Sequence, residues 1–167
     1  MRVLGIDPGT LYLGYGLVQE DPEGAVTAIA CGVLTGKRTH SIGQRLHLLY
    51  GELIGLMERY APEEVAVEQP FFSVNARTAM AIGQAQGLAL MAAAARDIPV
   101  ATYSPLKVKQ AVSGYGGASK EQVLQAVALH LGIDAAVTPE DAADALAVAL
   151  CHLQARRADA LAARSKE

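Results

Sequence analysis

Cysteine is scarce in this chain. Cys31 and Cys151 are its only two cysteines in 167 residues, and neither belongs to a C-x-x-C pair. That removes zinc ribbons and a disulfide framework, and suits reduced thiols in a cytoplasmic protein. Positive charge is also short: 14 Lys and Arg against 17 Asp and Glu leave a formal charge of -3. Wholesale wrapping of nucleic acid needs a cationic footprint and is not expected, while a local basic patch remains compatible, as do acids neutralised by bound metal. The opening MRVLGID has no basic n-region or cleavage site, so no secretory signal is expected. The stretch AMAIGQAQGLALMAAAA is interrupted by Gln84 and Gln86 and flanked by Arg77 and Arg96, which disqualifies it as a membrane span. There is no GxxxxGK[ST] loop, repeat or internal linker, and no Ser-His-Asp grouping. His40, His47, His130 and His152 are scattered and read as surface or core residues.

What is present is apolar character, 51% of the chain, enough for one domain with a real core. We place that domain at residues 1–157 and a frayed helical tail at 158–167. Residues 2–7, about 13–19 and about 25–34 are strand-like and separated by the turn signals DPGT and EDPEG, an antiparallel meander. Ser41 is a good N-cap for a helical stripe from Ile42 to Tyr60. EEVAVEQ reads as a buried strand, residues 76–95 as a helix and PVATYS as a fifth strand. PLKVKQAV, SKEQVLQAVALHL and PEDAADALAVALCHL read as three helices. The order predicts an α/β domain with a five-stranded mixed sheet, its first three strands antiparallel, flanked by helices.

Within this frame four acids draw notice. Asp7 closes the apolar run VLGI, and strand alternation puts it on one face with Val3 and Gly5. Glu68 ends the fourth strand on the face of Ala66. Turn chemistry before Pro8-Gly9 explains Asp7, and an exposed strand end explains Glu68, as well as metal binding does. In TPEDAADAL, Thr138 reads as N-cap, Pro139 as the first helical residue and Asp141 as a third-position cap residue. Asp144 lacks such an explanation: it shares a face with Asp141 on a helix that turns apolar on every side. If that helix packs on the face of Gly5 and Ala66, all four converge. Such an all-oxygen cluster suits Mg2+ or Mn2+ and two-ion hydrolysis of phosphodiesters. Lys120, just after the cap Ser119, sits where the helix dipole disfavours a cation, either as a solvated lysine or for a functional reason.

The ordered set GIDPGT with GYG, VEQPFF with GQAQG, VKQAVSGYG with SKEQV, and DAADALAVA resembles the RuvC family of Holliday-junction resolvases, nearly end to end. The resemblance implies an RNase H-like fold and an endonuclease that resolves four-way DNA junctions in recombination and repair, leaving 5′-phosphate ends. It places Asp7, Glu68, Asp141 and Asp144 on the metal-binding catalytic positions, with two Mg2+ ions that Mn2+ replaces. It places Lys109 and Lys120 on basic active-site positions. Phe71 falls on the aromatic position of a junction-reading loop, beside Phe72; stacking on an unpaired base and plugging the core are the two readings of this pair. A homodimer follows from two symmetric cuts, with RuvA and RuvB as branch-migration partners. Gly83 and Gly87, four apart, suit either a dimer contact or close packing on the sheet. The alternatives are a fragment of an actin-like ATPase, whose paired domains and second phosphate motif do not fit this length, and a non-catalytic junction-binding module.

Overall fold

The computed structural model describes residues 1–69, 76–136 and 138–165. Its elements are β1 (Arg2–Asp7), β2 (Tyr12–Glu20), β3 (Val26–Thr35), α1 (Ile42–Tyr60), β4 (Glu64–Glu68), α2 (Ala76–Ala94), β5 (Val100–Tyr103), α3 (Pro105–Ser113), α4 (Lys120–Leu131) and α5 (Glu140–Arg164). The sheet order is β3-β2-β1-β4-β5. The β1–β2 and β2–β3 pairs are antiparallel, and β1–β4 and β4–β5 are parallel. The expected element order and sheet type are both observed.

Strand alternation divides the core. Leu4, Ile6, Val65 and Val67 point to the face covered by α1 and α2, where Leu49, Leu53, Leu88 and Ala89 complete an apolar cluster. Val3, Ala66 and Tyr103 point to the opposite face, against α3, α4 and α5. α5 is central there: nearly every residue from Ala142 to Leu153 is buried. A helix apolar around its whole circumference is stable only when surrounded.

Glycines set the height of α5 above the sheet. Gly5 pairs with Gly16 on β2 and Ala66 on β4, and Asp7 pairs with Gly14. A Cβ on Gly5 would lie 2.0 Å from the carbonyl oxygen of Ala145, one on Gly14 1.9 Å from that of Asp141, and one on Gly16 2.7 Å from the backbone nitrogen of Leu146. The space beside Asp7 that Gly5 leaves open is therefore filled by the backbone of α5.

The start of α5 differs from expectation. Pro139, not Thr138, is the N-cap, no side chain caps the helix, and Glu140 is its first residue. The Thr138 hydroxyl instead donates to the carbonyl of Asp134 at 2.7 Å, so Asp141 falls at the second helical position and has no capping role. The Ser41 and Ser119 capping boxes form as expected. At its other end α5 continues to Arg164, with side chains exposed from Arg156 onward apart from the helix's own cover. One turn before Arg156, buried His152 lies with Nε2 2.6 Å from Glu64 Oε2 and Nδ1 2.8 Å from the Tyr103 hydroxyl. A carboxylate only accepts, so Nε2–H donates to Glu64, and Nδ1 shares the second hydrogen bond with the Tyr103 hydroxyl. This core histidine is fully satisfied and ties α5 to β4 and β5.

The glycine trench predicts opposite signs for two kinds of Gly→Ala change. Gly16→Ala should lower stability to chemical denaturation by about 1–3 kcal/mol through overpacking. Gly51→Ala, in α1 with nothing within 4 Å of the added methyl, should raise it by about 0.5–1 kcal/mol. Equal effects in urea melts would dismiss the trench.

Candidate active site

Asp7 and Glu68 occupy the carboxyl ends of adjacent parallel strands, where β1 stops at Pro8 and β4 stops before Gln69. Gln69 is held in line by its backbone N–H donating to Tyr103 O (2.8 Å) and its side-chain amide donating to Thr102 Oγ1 (2.9 Å). α5, lowered into the glycine trench, brings Asp144 over both. Lys109 from α3 and Lys120 from the first turn of α4 close a pocket of about 250 Å³, whose apolar wall includes Val108 and Val123.

The electrostatics are those of anions crowded together out of water. Asp7 is pushed up to about 6, first by burial and then by the charges of Asp144 and Asp141. Glu68 is pushed up to about 8 by burial, then by Asp7 and Asp144. A side-chain hydrogen bond joins the two and lowers Asp7 while raising Glu68, so Glu68 carries the shared proton and donates to Asp7. Burial also raises Asp144, against the pull of Lys120. Lys120 Nζ lies 3.3 Å from Asp144 Oδ2 and also pairs with Glu140. These acids hold Lys120 protonated well above the ordinary lysine range, with the Glu140 hydrogen bond the largest cause.

Of the expected residues, the structure brings together Asp7, Glu68, Asp144, Lys109 and Lys120. Asp141 does not line the pocket: its carbonyl covers Gly14, and its charge reaches Asp7 through space. Phe71 and Phe72 lie outside the described residues. Glu140 was not singled out from sequence, because an acid in the first turn of a helix is ordinarily explained by the dipole. Its partner Lys120 is 20 positions away, a pairing that no local pattern reveals.

The donor set fits a hard divalent cation: oxygens only, buried, mutually repelling, with Lys120 as the nearby positive charge. Among the described residues no three His, Cys, Asp or Glu side chains already converge on one point at coordination distance. Asp7 and Glu68 turn to each other, and Asp144 turns to Lys120.

A mixed sheet of this order, with acids at the ends of β1 and β4 and a further acid presented by a helix across them, defines the class of RNase H-like nucleases. The sequence model of the crossover junction endodeoxyribonuclease RuvC family matches residues 3–152, and the chain belongs to that family. It is 49% identical over 154 residues to the crossover junction endodeoxyribonuclease RuvC of Roseiflexus sp. strain RS-1, covering 92% of this chain and 91% of that one. It is 48% identical over 157 residues to the RuvC of Syntrophomonas wolfei, covering 94% and 91%. Among solved structures, Thermus thermophilus RuvC in complex with Holliday junction substrate superposes with a TM-score of 0.86 at 36% identity, over 95% of this chain and 96% of that one. The yeast mitochondrial Holliday junction resolvase Ydc2, with a TM-score of 0.64 at 15% identity over 90% of this chain and 78% of that one, shares the fold.

The crowded acids predict a stability cost in metal-free protein. Asp7 and Glu68 bind protons more tightly folded than unfolded, so the stability they confer is complete below about pH 4 and lost as pH rises through about 8. In EDTA at pH 8, Glu68→Gln should therefore melt higher than the parent, by about 2–4 °C for each kcal/mol of relieved repulsion. It should also show a shallower decline from pH 5 to 8. Added Mg2+ or Mn2+ should raise the melting temperature of the parent more than that of the variant; parallel curves would speak against the cluster as a cation site.

Proposed function

We propose that the chain acts as a C2 homodimer that nicks two opposed strands of a four-way DNA junction, leaving 5′-phosphate ends. Asp7, Glu68, Asp144 and Asp141 would hold two Mg2+ ions, with Mn2+ as a substitute. The observation that supports this best is the pocket itself, which joins acids from three separate segments to two lysines. Bound divalent ions there supply activation of water and charge opposite the leaving oxygen.

The chain's own groups do the rest. Glu68 and Asp7, joined by a side-chain hydrogen bond in the pocket, would be the strand-borne ligands for the ions. Lys120, steered by Glu140 to the rim, faces the reacting phosphate and stabilises developing negative charge. Lys109 approaches from α3, and the wall of Val108 and Val123 keeps water out, strengthening each of these interactions. Phe71 and Phe72 would stack on an unpaired base, and RuvA and RuvB would be the branch-migration partners, in the cytoplasm. No helix of the described residues is long and apolar enough to cross a membrane. The family match over residues 3–152 leaves the ATPase alternative without support. The meeting of buried acids disfavours a purely binding module.

The dimer rests on α2. Its inner face buries Ala85, Leu88, Ala89, Ala92 and Ala93, so Gly83 and Gly87 do not pack on the sheet: nothing lies within 4 Å of a Cβ at either. The outer face exposes Met80 (66%) and Met91 (59%), beside a groove of about 510 Å³ that includes Leu46, Tyr50 and Gly87. A small-residue helix face with apolar neighbours suits a second copy.

Asp7→Asn, Glu68→Gln and Asp144→Asn should each reduce cleavage of a labelled four-way junction on the order of a thousandfold while junction binding persists. Asp141→Asn should be mildest; near-normal cleavage by Asp7→Asn would sink the assignment. Gly87→Leu should shift the protein toward monomer in sedimentation without unfolding it, and an unchanged dimer would move the interface elsewhere.

A further inference from the structure

Four of this chain's arginines are held by acids or carbonyls elsewhere in the fold. Arg2 bonds Gln19 and the Tyr60 carbonyl, Arg96 pairs with Glu58, Arg156 with Glu64 and Arg157 with Glu20. The connection from β3 to α1, sequence GKRTHSIGQR, is different. Lys37 and Arg38 are exposed, and none of Lys37, Arg38, His40 or Arg45 forms an ion pair among the described residues. The first turn of α1 carries no acid. Two atoms here, Arg45 Nε and His40 Nδ1, are shielded from solvent with no hydrogen-bond partner. Neither side chain is committed to another group of the described residues.

The place of this cluster suggests what the partner is. β3 runs antiparallel to β2 and hence alongside β1 in direction, so its carboxyl end lies at the same end of the sheet as Asp7 and Glu68. It stands two strands away from β1, about 10 Å. The connection docks on the turn that follows Asp7: Gly36 N donates to Leu11 O at 2.8 Å. The missing Cβ of Gly36 would fall 2.3 Å from Thr10 O and 3.2 Å from Arg45 Cδ. The Arg45 stem thus packs against Gly36, which itself docks on the turn after Asp7. Lys109 and Lys120 rise on the other face of the sheet, with α3 and α4. Cations without ion pairs at the same end of the sheet as the pocket, on the side away from Lys109 and Lys120, match a polyanion that extends past the pocket.

We propose that Arg45, with His40, Lys37 and Arg38, forms a phosphate site that grips the DNA backbone on the β3 side of the carboxylate pocket. This rests on the endonuclease reading and adds a second anchor to it. A guanidinium with its stem immobilised fixes the position of a phosphodiester oxygen, and the exposed Lys37 and Arg38 supply charge around it.

The test is the salt dependence of binding of a fluorescent four-way junction by the full chain in EDTA, so that no cleavage intervenes. Arg45→Gln should weaken binding about three- to tenfold and flatten the slope of log K against log salt by about one. Lys37→Ala with Arg38→Ala should flatten it by about two. Arg45→Lys, which keeps the charge but lacks Nε, should fall between Arg45→Gln and the parent. Arg45→Gln with a lowered melting temperature and an unaltered slope would make the residue merely structural and overturn the site, as would unaltered slopes for both Arg45→Gln and the double variant. If Arg45→Gln does not fold, the exposed double variant alone decides. A parent that binds no junction at any salt refutes the endonuclease reading itself, whereas a parent that binds beside indifferent variants refutes only this site.

Discussion

The approach of the α5 backbone to the sheet is the constraint on which the rest of the molecule depends. Three glycines on β1 and β2 leave a strip without side chains, and the carbonyls of Asp141 and Ala145 occupy positions that any Cβ would claim. Because α5 lies so low, Asp144 arrives above the ends of β1 and β4 instead of a side chain's length higher. The trench therefore shapes the carboxylate pocket and the core through one geometric feature: it buries a continuous alanine-rich helix and sets the height of an acid over two strand-borne acids. The middle of the same helix is held by the buried His152 bridge between Tyr103 and Glu64, which ties it to β4 and β5.

That placement works against stability at the pocket. Folding gathers carboxylates in a site where burial and mutual repulsion both disfavour their charged forms. In the absence of a divalent cation the chain relieves the strain in two ways: a proton shared between Glu68 and Asp7, and a lysine drawn over Asp144. Glu140 contributes by holding Lys120 from the other side. The same groups that offset the repulsion are those a bound cation and a phosphate would displace or recruit, which is why the pocket is poised rather than merely tolerated.

Charge on the wider surface follows the same logic. A chain of formal charge -3 is a poor general ligand for nucleic acid, so its affinity must be concentrated. Arg2, Arg96, Arg156 and Arg157 are held by acids or carbonyls, whereas Lys37, Arg38 and Arg45 form no ion pair among the described residues at the carboxylate end of the sheet, where the proposed phosphate site would draw on them.

Much of this was legible in the sequence because it is local. Alternation in β1 and β4 assigned Asp7 and Glu68 to one face with Gly5 and Ala66, and capping chemistry located Ser41 and Ser119. Periodicity and turn signals yielded the element order. The quoted motifs yielded the family. The misreading at Thr138 was local too, since its hydroxyl had a competing carbonyl at Asp134 that cap statistics do not weigh. What only the tertiary structure decided are the relations between distant segments: that the backbone of α5 fills the space over Gly5, Gly14 and Gly16, that Asp141 stands outside the pocket Asp144 enters, that Lys120 is claimed by Glu140, and that Arg45 packs against Gly36 without an ion pair among the described residues. A sequence specifies which side chains are available and which face each takes along its own element. How closely two elements approach, and which charges then meet, depends on packing across the core.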